Sequence, residues 1–130
     1  MSEKYVPTFT LNDGVEVPAV GLGTWKLRGD DAVTAVRSAI DIGYRHIDTA
    51  SLYRNEADIG RAIRDAISAG DVTREELFIT SKVWNDQQSD QEVQAAFRTS
   101  LTNLGLDYLD CYMVHWPCPS TGRHVERFAA

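Results

Sequence analysis

Four side chains capable of acid–base chemistry follow three apolar segments that read as β-strands. Asp48 ends the second such segment and Tyr53 stands five residues later, while Lys82 and His115 lie at the ends of the third and fourth. An ammonium group beside a phenol stabilises the phenolate and so makes the phenol a better proton donor. A carboxylate can hold the lysine charged, and a histidine can hydrogen-bond a substrate oxygen. The combination predicts a site that protonates a carbonyl oxygen as a hydride reaches the carbonyl carbon.

Each of these residues, taken alone, has a more ordinary interpretation. An aspartate at a strand end is usually a cap or turn residue, and a tyrosine is usually a packing residue with a bonded hydroxyl. A lysine after an apolar strand commonly marks its exposed end. A lone histidine is more often a hydrogen-bonded core residue than a catalyst. Convergence favours chemistry, because unrelated structural residues need not all lie at the same end of successive strands.

The elements that must position these side chains alternate regularly along the chain. A hairpin is predicted over about 8–18, where Asp13-Gly14 favours a tight turn. Four strands with three intervening helices follow over about 19–116, and the tail, about 117–130, begins as a loop with a further helix near Val125. The predicted strands are Ala19–Leu22, Tyr44–Asp48, Leu77–Val83 and Tyr108–His115.

Helix boundaries are also predicted from local residue types. Asp30 or Asp31 is expected to cap the first helix, and Gly43 is expected to end it. Ser89 followed three residues later by Glu92 predicts a capping box at the start of the third helix.

Alternating strands and helices with short connections predict parallel strands joined by right-handed crossovers. A doubly wound sheet and a (β/α)8 barrel both satisfy that pattern. A dinucleotide-binding sheet would carry G-x-G-x-x-G after its first strand, whereas Gly21-Leu22-Gly23 is followed by Thr24-Trp25-Lys26. The α/β class with a (β/α)8 TIM barrel is therefore favoured. A full barrel needs about 250 residues, so the 130 residues supply the first four βα units.

Composition limits the classes of function. The net charge of −6 and the absence of a clustered Lys/Arg face argue against nucleic-acid binding. No apolar run is long enough to span a membrane, and the N-terminus lacks the apolar stretch of a signal peptide. Cys111 and Cys118 lack the spacing of metal ligands, so no metal site is predicted. A reduced, cytoplasmic setting is the expectation.

Several segments together resemble one enzyme family. The stretch Gly43–Gly60, GYRHIDTASLYRNEADIG, is similar to the first signature of the aldo-keto reductases. Leu104–Asp110, running into Val114–Pro117, resembles the second signature. Ile79–Asn85 resembles the strand that carries the lysine between them, and Gly21–Lys26 resembles the cofactor-side turn. The match looks closest to bacterial reductases that include the 2,5-diketo-gluconate reductases.

The resemblance implies a (β/α)8 barrel that uses NADPH without a Rossmann fold and reduces aldehydes or ketones to alcohols. It implies that Tyr53 is the proton donor, activated by Lys82, that Asp48 supports Lys82, and that His115 orients the carbonyl. It also implies residues beside the cofactor, namely Gly23, Thr24, Trp25 and Asp48. The implied substrate pocket consists of Trp25, Trp84, His115 and Trp116.

Members of this family continue for four more βα units, which carry most of the contacts to the cofactor. Residues 1–130 are therefore interpreted as the N-terminal half of such a barrel. A half barrel leaves its first and last strands as open edges. We expect it to require a complementary half-barrel chain or to associate with itself through those edges. The alternative hypothesis is a non-catalytic fragment or interaction module that needs a partner chain to complete the barrel.

Overall fold

The computed structural model describes residues 6–130; residues 1–5, which belong to the N-terminal segment without signal-peptide character, lie outside the described part. The described chain begins with a hairpin, in which β1 (Thr8–Thr10) pairs antiparallel with β2 (Glu16–Pro18). The Asp13 carboxylate accepts a hydrogen bond from the Val15 N–H at 3.0 Å within the turn. The hairpin therefore forms where the Asp-Gly pair predicts it.

Four parallel strands make the main sheet in their order along the chain. They are β3 (Gly21–Gly23), β4 (His46–Asp48), β5 (Phe78–Val83) and β6 (Cys111–Val114). Consecutive parallel neighbours are what the first half of a barrel requires. Among residues 6–130, β3 and β6 each have one neighbouring strand and form the two edges of this sheet.

The first strand of the sheet differs from the sequence prediction. We expected a buried strand at Ala19–Leu22, but β3 begins at Gly21 and only Leu22 of the strand is partly buried. Ala19 instead donates its N–H to the Pro7 carbonyl at 2.8 Å, which extends the pairing of the hairpin. An edge strand beside a hairpin needs fewer buried side chains than a strand with two sheet neighbours.

Helices follow β3, β4, β5 and β6, and short 3-10 turns lie in the connections. The helices are α1 (Gly29–Ile42), α2 (Glu56–Ser68), α3 (Asp90–Leu104) and α4 (His124–Ala129). The turns are Ser51–Tyr53, Arg74–Glu76 and Pro119–Thr121. In the part of the chain that the structure describes, no helix has both the length and the apolar character needed to cross a bilayer.

The start of α1 contradicts the predicted cap. Neither Asp30 nor Asp31 occupies the cap position, because Arg28 precedes the helix and provides no side-chain cap. The Gly29 N–H instead donates to a carboxylate oxygen of Asp58, a residue of α2, at 2.9 Å. A cap supplied by another helix has no local sequence signature, which explains the error. The end of α1 at Gly43, with φ of 114°, agrees with the prediction.

The capping box at α3 is confirmed. The Ser89 hydroxyl accepts from the Glu92 N–H at 3.2 Å, and a Glu92 carboxylate oxygen accepts from the Ser89 N–H at 3.1 Å. Hydrogen bonds from the backbone N–H groups of Gln88 and Ser89 lower the pKa of the Glu92 carboxyl. This local device fixes where the third helix begins.

The hydrophobic core lies between the sheet and the inward faces of α1, α2 and α3. The central strands contribute Ile47 and Ile79, both fully buried. A glycine permits the close contact between α2 and α3, because a Cβ atom at Gly60 would overlap the Leu104 carbonyl. The helix residues that complete this core include Val36, Ile40, Ile59, Ile63 and Leu104. The packing holds the helices against β4 and β5, the paired strands whose ends carry Asp48 and Lys82.

Candidate active site

The ends of β4 and β5 bring three of the four predicted side chains into one cluster. The Lys82 Nζ lies 2.7 Å from the Asp48 Oδ1, 3.2 Å from the Thr49 carbonyl oxygen and 3.5 Å from the Tyr53 hydroxyl. The same ammonium lies 5.2 Å from the centre of the Tyr53 ring. A carboxylate, an ammonium and a phenol are thus in mutual reach.

Strand register explains this meeting. Asp48 pairs with Thr80 across the parallel β4–β5 ladder, and Lys82 lies two residues further along β5. Side chains two residues apart in a strand lie on the same face, so the lysine extends back toward the neighbouring aspartate. The side chain of Lys82 is only 11% exposed, which shields the ion pair from water. The pairing and register of β4 and β5 are therefore enough to bring Asp48 and Lys82 together.

A buried asparagine holds the two loops of the cluster together. The Asn55 Nδ2 donates to the carbonyl oxygens of Thr24 at 2.8 Å and Leu27 at 2.9 Å, and the Thr49 hydroxyl donates to the Asn55 Oδ1 at 2.8 Å. Asn55 is 1% exposed. It ties the loop after β3 to the loop after β4. This role of Asn55 was not predicted from the sequence.

A second pair of polar residues was also missed. The Ser81 hydroxyl donates to a Glu56 carboxylate oxygen at 2.8 Å, although Glu56 is only 5% exposed. The Ser51 hydroxyl donates to the Lys82 carbonyl at 3.1 Å. Both bonds join the Asp48–Tyr53 loop and the start of α2 to β5. The signal for it in the sequence was an acidic residue, Glu56, directly after Asn55 at the start of a helix whose inward face is otherwise apolar.

His115, the fourth predicted residue, lies beside Tyr53 through ring contact. The two ring centroids are 5.8 Å apart at an interplanar angle of 83°, and the Trp84 ring meets the His115 ring edge-on at 5.2 Å. Burial lowers the pKa of His115, the Lys82 charge lowers it further, and Asp48 opposes the shift. Among the described residues, the buried His115 Nδ1 has no hydrogen-bond partner.

The three predicted pocket tryptophans divide into two groups. Trp84 and Trp116 have ring centroids 6.0 Å apart, and Trp84 also contacts His115. Trp25 is 64% exposed, and the ring contact that the structure gives it is with the Lys26 ammonium at 4.7 Å. The structure thus brings Trp84, Trp116 and His115 together, while Trp25 stands at the β3 end of the sheet.

The residues predicted beside the cofactor differ in what they offer a ligand. A Cβ atom at Gly23 would have no neighbour within 4 Å, so the β3 end is open there. Thr24 is fully buried, and its hydroxyl donates to the Asp48 carbonyl at 2.9 Å. Trp25 offers an exposed indole beside that open space. Gly23 and Trp25 fit a flat ligand, whereas the side chain of Thr24 secures the backbone of Asp48.

Another histidine, His46, and the two cysteines also carry titratable side chains. The His46 Nε2 lies 3.0 Å from the Thr80 hydroxyl, and the His46 ring contacts Phe78. Cys111 and Cys118 are both free, and burial raises the pKa of the Cys111 thiol. In residues 6–130 no three His, Cys, Asp or Glu side chains are grouped so as to hold a metal ion.

Sequence and structure comparisons relate the chain to one enzyme family. The model of the Aldo/keto reductase family matches residues 19–127. The oxidoreductase YtbE of Bacillus subtilis is 51% identical over 122 residues, which are 93% of this chain and 43% of that protein. The methylglyoxal reductase DkgA of Salmonella typhimurium is 45% identical over 116 residues, 89% of this chain and 40% of that protein.

A crystal structure of a Bombyx mori aldo-keto reductase in complex with NADP superposes with a TM-score of 0.87 at 42% identity. The superposition covers 95% of this chain and 44% of the silkworm protein. The chain spans under half the length of the curated relatives it matches. The predicted fold class is confirmed: the hairpin and parallel βα units align with part of a TIM barrel. The chain belongs to the Aldo/keto reductase family.

Proposed function

We propose that residues 1–130 form the N-terminal half of a barrel that reduces aldehydes or ketones to alcohols with NADPH. In this proposal Tyr53 is the proton donor, Lys82 activates it, Asp48 supports Lys82, and His115 orients the carbonyl. The observation that carries the proposal is the position of the Lys82 ammonium, 2.7 Å from Asp48 and 3.5 Å from the Tyr53 hydroxyl. That contact is what a phenol needs to donate a proton at neutral pH.

Each side chain has a distinct task. Tyr53 gives its proton to the carbonyl oxygen, and the adjacent Lys82 ammonium stabilises the phenolate that remains. Asp48 keeps the ammonium charged and in position. The lowered pKa of His115 favours the neutral imidazole, which can donate one hydrogen bond to the substrate oxygen. The unbonded Nδ1 leaves that ring with hydrogen-bonding capacity to spare.

NADPH, when bound, supplies the hydride that reaches the carbonyl carbon. The residues of this chain proposed to hold it are Gly23, Thr24, Trp25 and Asp48. The open space at Gly23, which would supply backbone contacts, and the exposed indole of Trp25 support this assignment, and Thr24 would lie beside the cofactor. The NADP complex of the silkworm relative is a further support.

The proposed substrate is a small carbonyl compound. The Trp84 ring lies 5.2 Å from the His115 ring and 6.0 Å from the Trp116 ring, and this aromatic surface suits an apolar substrate part next to a polarised oxygen. Trp25 would complete the pocket from the β3 side. A relative named methylglyoxal reductase supports the small-carbonyl class.

We also propose that the active form contains a second half of the barrel. β3 and β6 are the edges of the described sheet, and large apolar side chains near β6 are exposed, including Trp116 at 60% and Phe128 at 83%. That second half is either the remainder of the same polypeptide, a complementary half-barrel chain, or another copy of this one. The two free cysteines support a reducing, cytoplasmic setting.

The test joins residues 1–130 to the second half of the Bacillus subtilis relative and follows NADPH oxidation with an aldehyde. We expect the hybrid to turn over, while the 130-residue chain alone binds NADPH weakly and does not. Tyr53→Phe should lower kcat by about 10²–10⁴-fold. Tyr44→Phe, at a tyrosine outside the cluster, is the matched control. Full activity in the Tyr53→Phe hybrid would refute the assigned proton donor.

The alternative, a non-catalytic interaction module, is favoured by the exposed apolar side chains beside β6. It predicts a folded hybrid without turnover and an isolated chain that binds a partner through that surface. Gel filtration of the isolated chain, together with the hybrid assay, separates the two hypotheses.

A further inference from the structure

Arg127 is the most deeply buried part of the C-terminal helix. It is 1% exposed, and it is the one buried residue of α4. The neighbouring apolar side chains of the helix, Val125 and Phe128, are 66% and 83% exposed. The helix is therefore attached to the rest of the chain through an arginine and not through an apolar stripe.

The Arg127 guanidinium donates three hydrogen bonds to three backbone carbonyls. Its Nε donates to Gln87 at 2.8 Å, its Nη1 to Trp116 at 3.1 Å and its Nη2 to Trp84 at 3.0 Å. Hydrogen bonds to a charged group are stronger than those between neutral groups, which offsets the cost of burying the charge. The planar fork of arginine reaches three acceptors at once, whereas lysine carries its donors on one atom.

The three carbonyls lie in two different loops. Trp84 and Gln87 belong to the loop after β5, and Trp116 belongs to the loop after β6. These loops carry the two indole rings whose centroids are 6.0 Å apart, and Trp84 in turn contacts His115 at 5.2 Å. A single buried side chain thus bridges the backbone of both pocket walls.

We propose that Arg127 is a positioning residue for the substrate pocket, because its three carbonyl contacts fix the spacing of Trp84 and Trp116 and the placement of Trp84 against His115. This inference rests on the proposed function for its catalytic meaning. Arg127 touches neither substrate nor reacting atoms; it acts through the loops that it joins.

The test begins with the 130-residue chain carrying Trp25→Phe, so that Trp84 and Trp116 are the remaining indoles. Indole rings held in a fixed packing environment give a near-ultraviolet circular dichroism signal. Arg127→Met should abolish that signal and make the half-buried Trp84 indole more accessible to acrylamide, while the far-ultraviolet spectrum stays close to that of the parent. Arg123→Met, at the exposed start of the same helix, is the matched control and should change neither.

Chemical rescue distinguishes positioning from a general loss of folding. Adding methylguanidinium to Arg127→Ala should restore the near-ultraviolet signal, because the ligand can occupy the space between the three carbonyls. If Arg127→Met unfolds the chain, Arg127→Lys, which retains charge and side-chain length, replaces it and should still lose most of the signal. An unchanged signal in a folded Arg127 variant, or no rescue, would overturn the proposal.

Activity is measured separately in the hybrid enzyme. There Arg127→Lys should raise KM for the aldehyde about tenfold or more and change kcat less, since pocket walls bind substrate while the strand-end cluster transfers the proton. An inactive parent hybrid would contradict the proposed function and leave the spectroscopic result to decide the role of Arg127. The positioning role would be contradicted if Arg123→Met changed KM and kcat as much as Arg127→Lys does.

Discussion

The β4–β5 centre and the β6–α4 end of the molecule are built differently. At the centre, Lys82 contacts Asp48 and Tyr53, and Asn55 joins the surrounding loops by bonds of 2.8–2.9 Å. At the other end, the buried Nδ1 atoms of His115 and His124 have no partner among the described residues. Phe128 beside them is 83% exposed.

The difference shows which part of the candidate site two neighbouring strands can assemble. The contact of Lys82 with Asp48 and Tyr53 follows from the register of β4 with β5 and from the loop that Asn55 holds. The proposed pocket residues Trp84 and Trp116 lie in loops that are joined by residues distant in the chain. Trp116 is 60% exposed, so the described residues do not cover this surface. Mutations should therefore be costly at the centre and mild at the β6–α4 surface, and the following predictions test that contrast.

The largest effect is expected at Asn55. Asn55→Ala leaves the Leu27 carbonyl oxygen and the Thr49 hydroxyl without a partner and removes one of the two hydrogen bonds to the Thr24 carbonyl, and each unsatisfied buried group costs about 1–3 kcal/mol. We expect the free energy of unfolding to fall by about 3–4 kcal/mol in urea denaturation. Asn103→Ala, at an exposed position of α3, should stay within about 0.5 kcal/mol. Equal losses of unfolding free energy in the Asn55 and Asn103 variants would contradict the greater sensitivity of the β4–β5 centre.

An intermediate effect is expected from His115 on pH dependence. Burial holds the pKa of folded His115 below its ordinary value of 6.5, so the unfolded chain binds the proton first as pH falls. The stability contributed by neutral His115 is therefore present above pH 6.5, falls as pH drops through 6.5, and levels off below the folded pKa. His115→Gln should flatten this part of the stability curve. Nuclear magnetic resonance titration that gives a His115 pKa above 6.5 would reverse the sign.

The smallest effect is expected at Phe128. Its side chain is 83% exposed, so Phe128→Ser removes little buried surface and should change the free energy of unfolding of this chain by less than about 0.5 kcal/mol. The same change in the hybrid barrel should cost more if the second half covers that surface. A large destabilisation of the isolated chain would show that the β6–α4 end is better packed than its exposure indicates.

Local sequence predicted those features that depend on neighbouring residues. The Asp-Gly turn, the Gly43 stop and the Ser89–Glu92 box are all set by residues close together in the chain. The meeting of Asp48 with Lys82 was also predictable, because parallel topology brings strand ends to one edge. The family resemblance supplied the roles, which periodicity alone does not.

Features that join distant residues were not predictable in this way. The carbonyl partners of Arg127 lie 11, 40 and 43 residues away along the chain, and Glu56 meets Ser81 across 25 residues. Arginine in a short polar helix and glutamate at a helix start both look like surface residues, because their charges are normally solvated. Only the folded structure shows that three backbone carbonyls bind the Arg127 guanidinium and that the Ser81 hydroxyl binds the Glu56 carboxylate, in place of solvent.

The cap that Asp58 provides for α1 also has a consequence for cooperativity. The Gly29 amide is protected by a residue of α2, and the Arg61 guanidinium lies 3.3 Å from the Asp30 carboxylate at the same junction. A local opening of α2 thus exposes the first turn of α1 to solvent. We therefore expect exchange of the Gly29 amide to report the opening of α2.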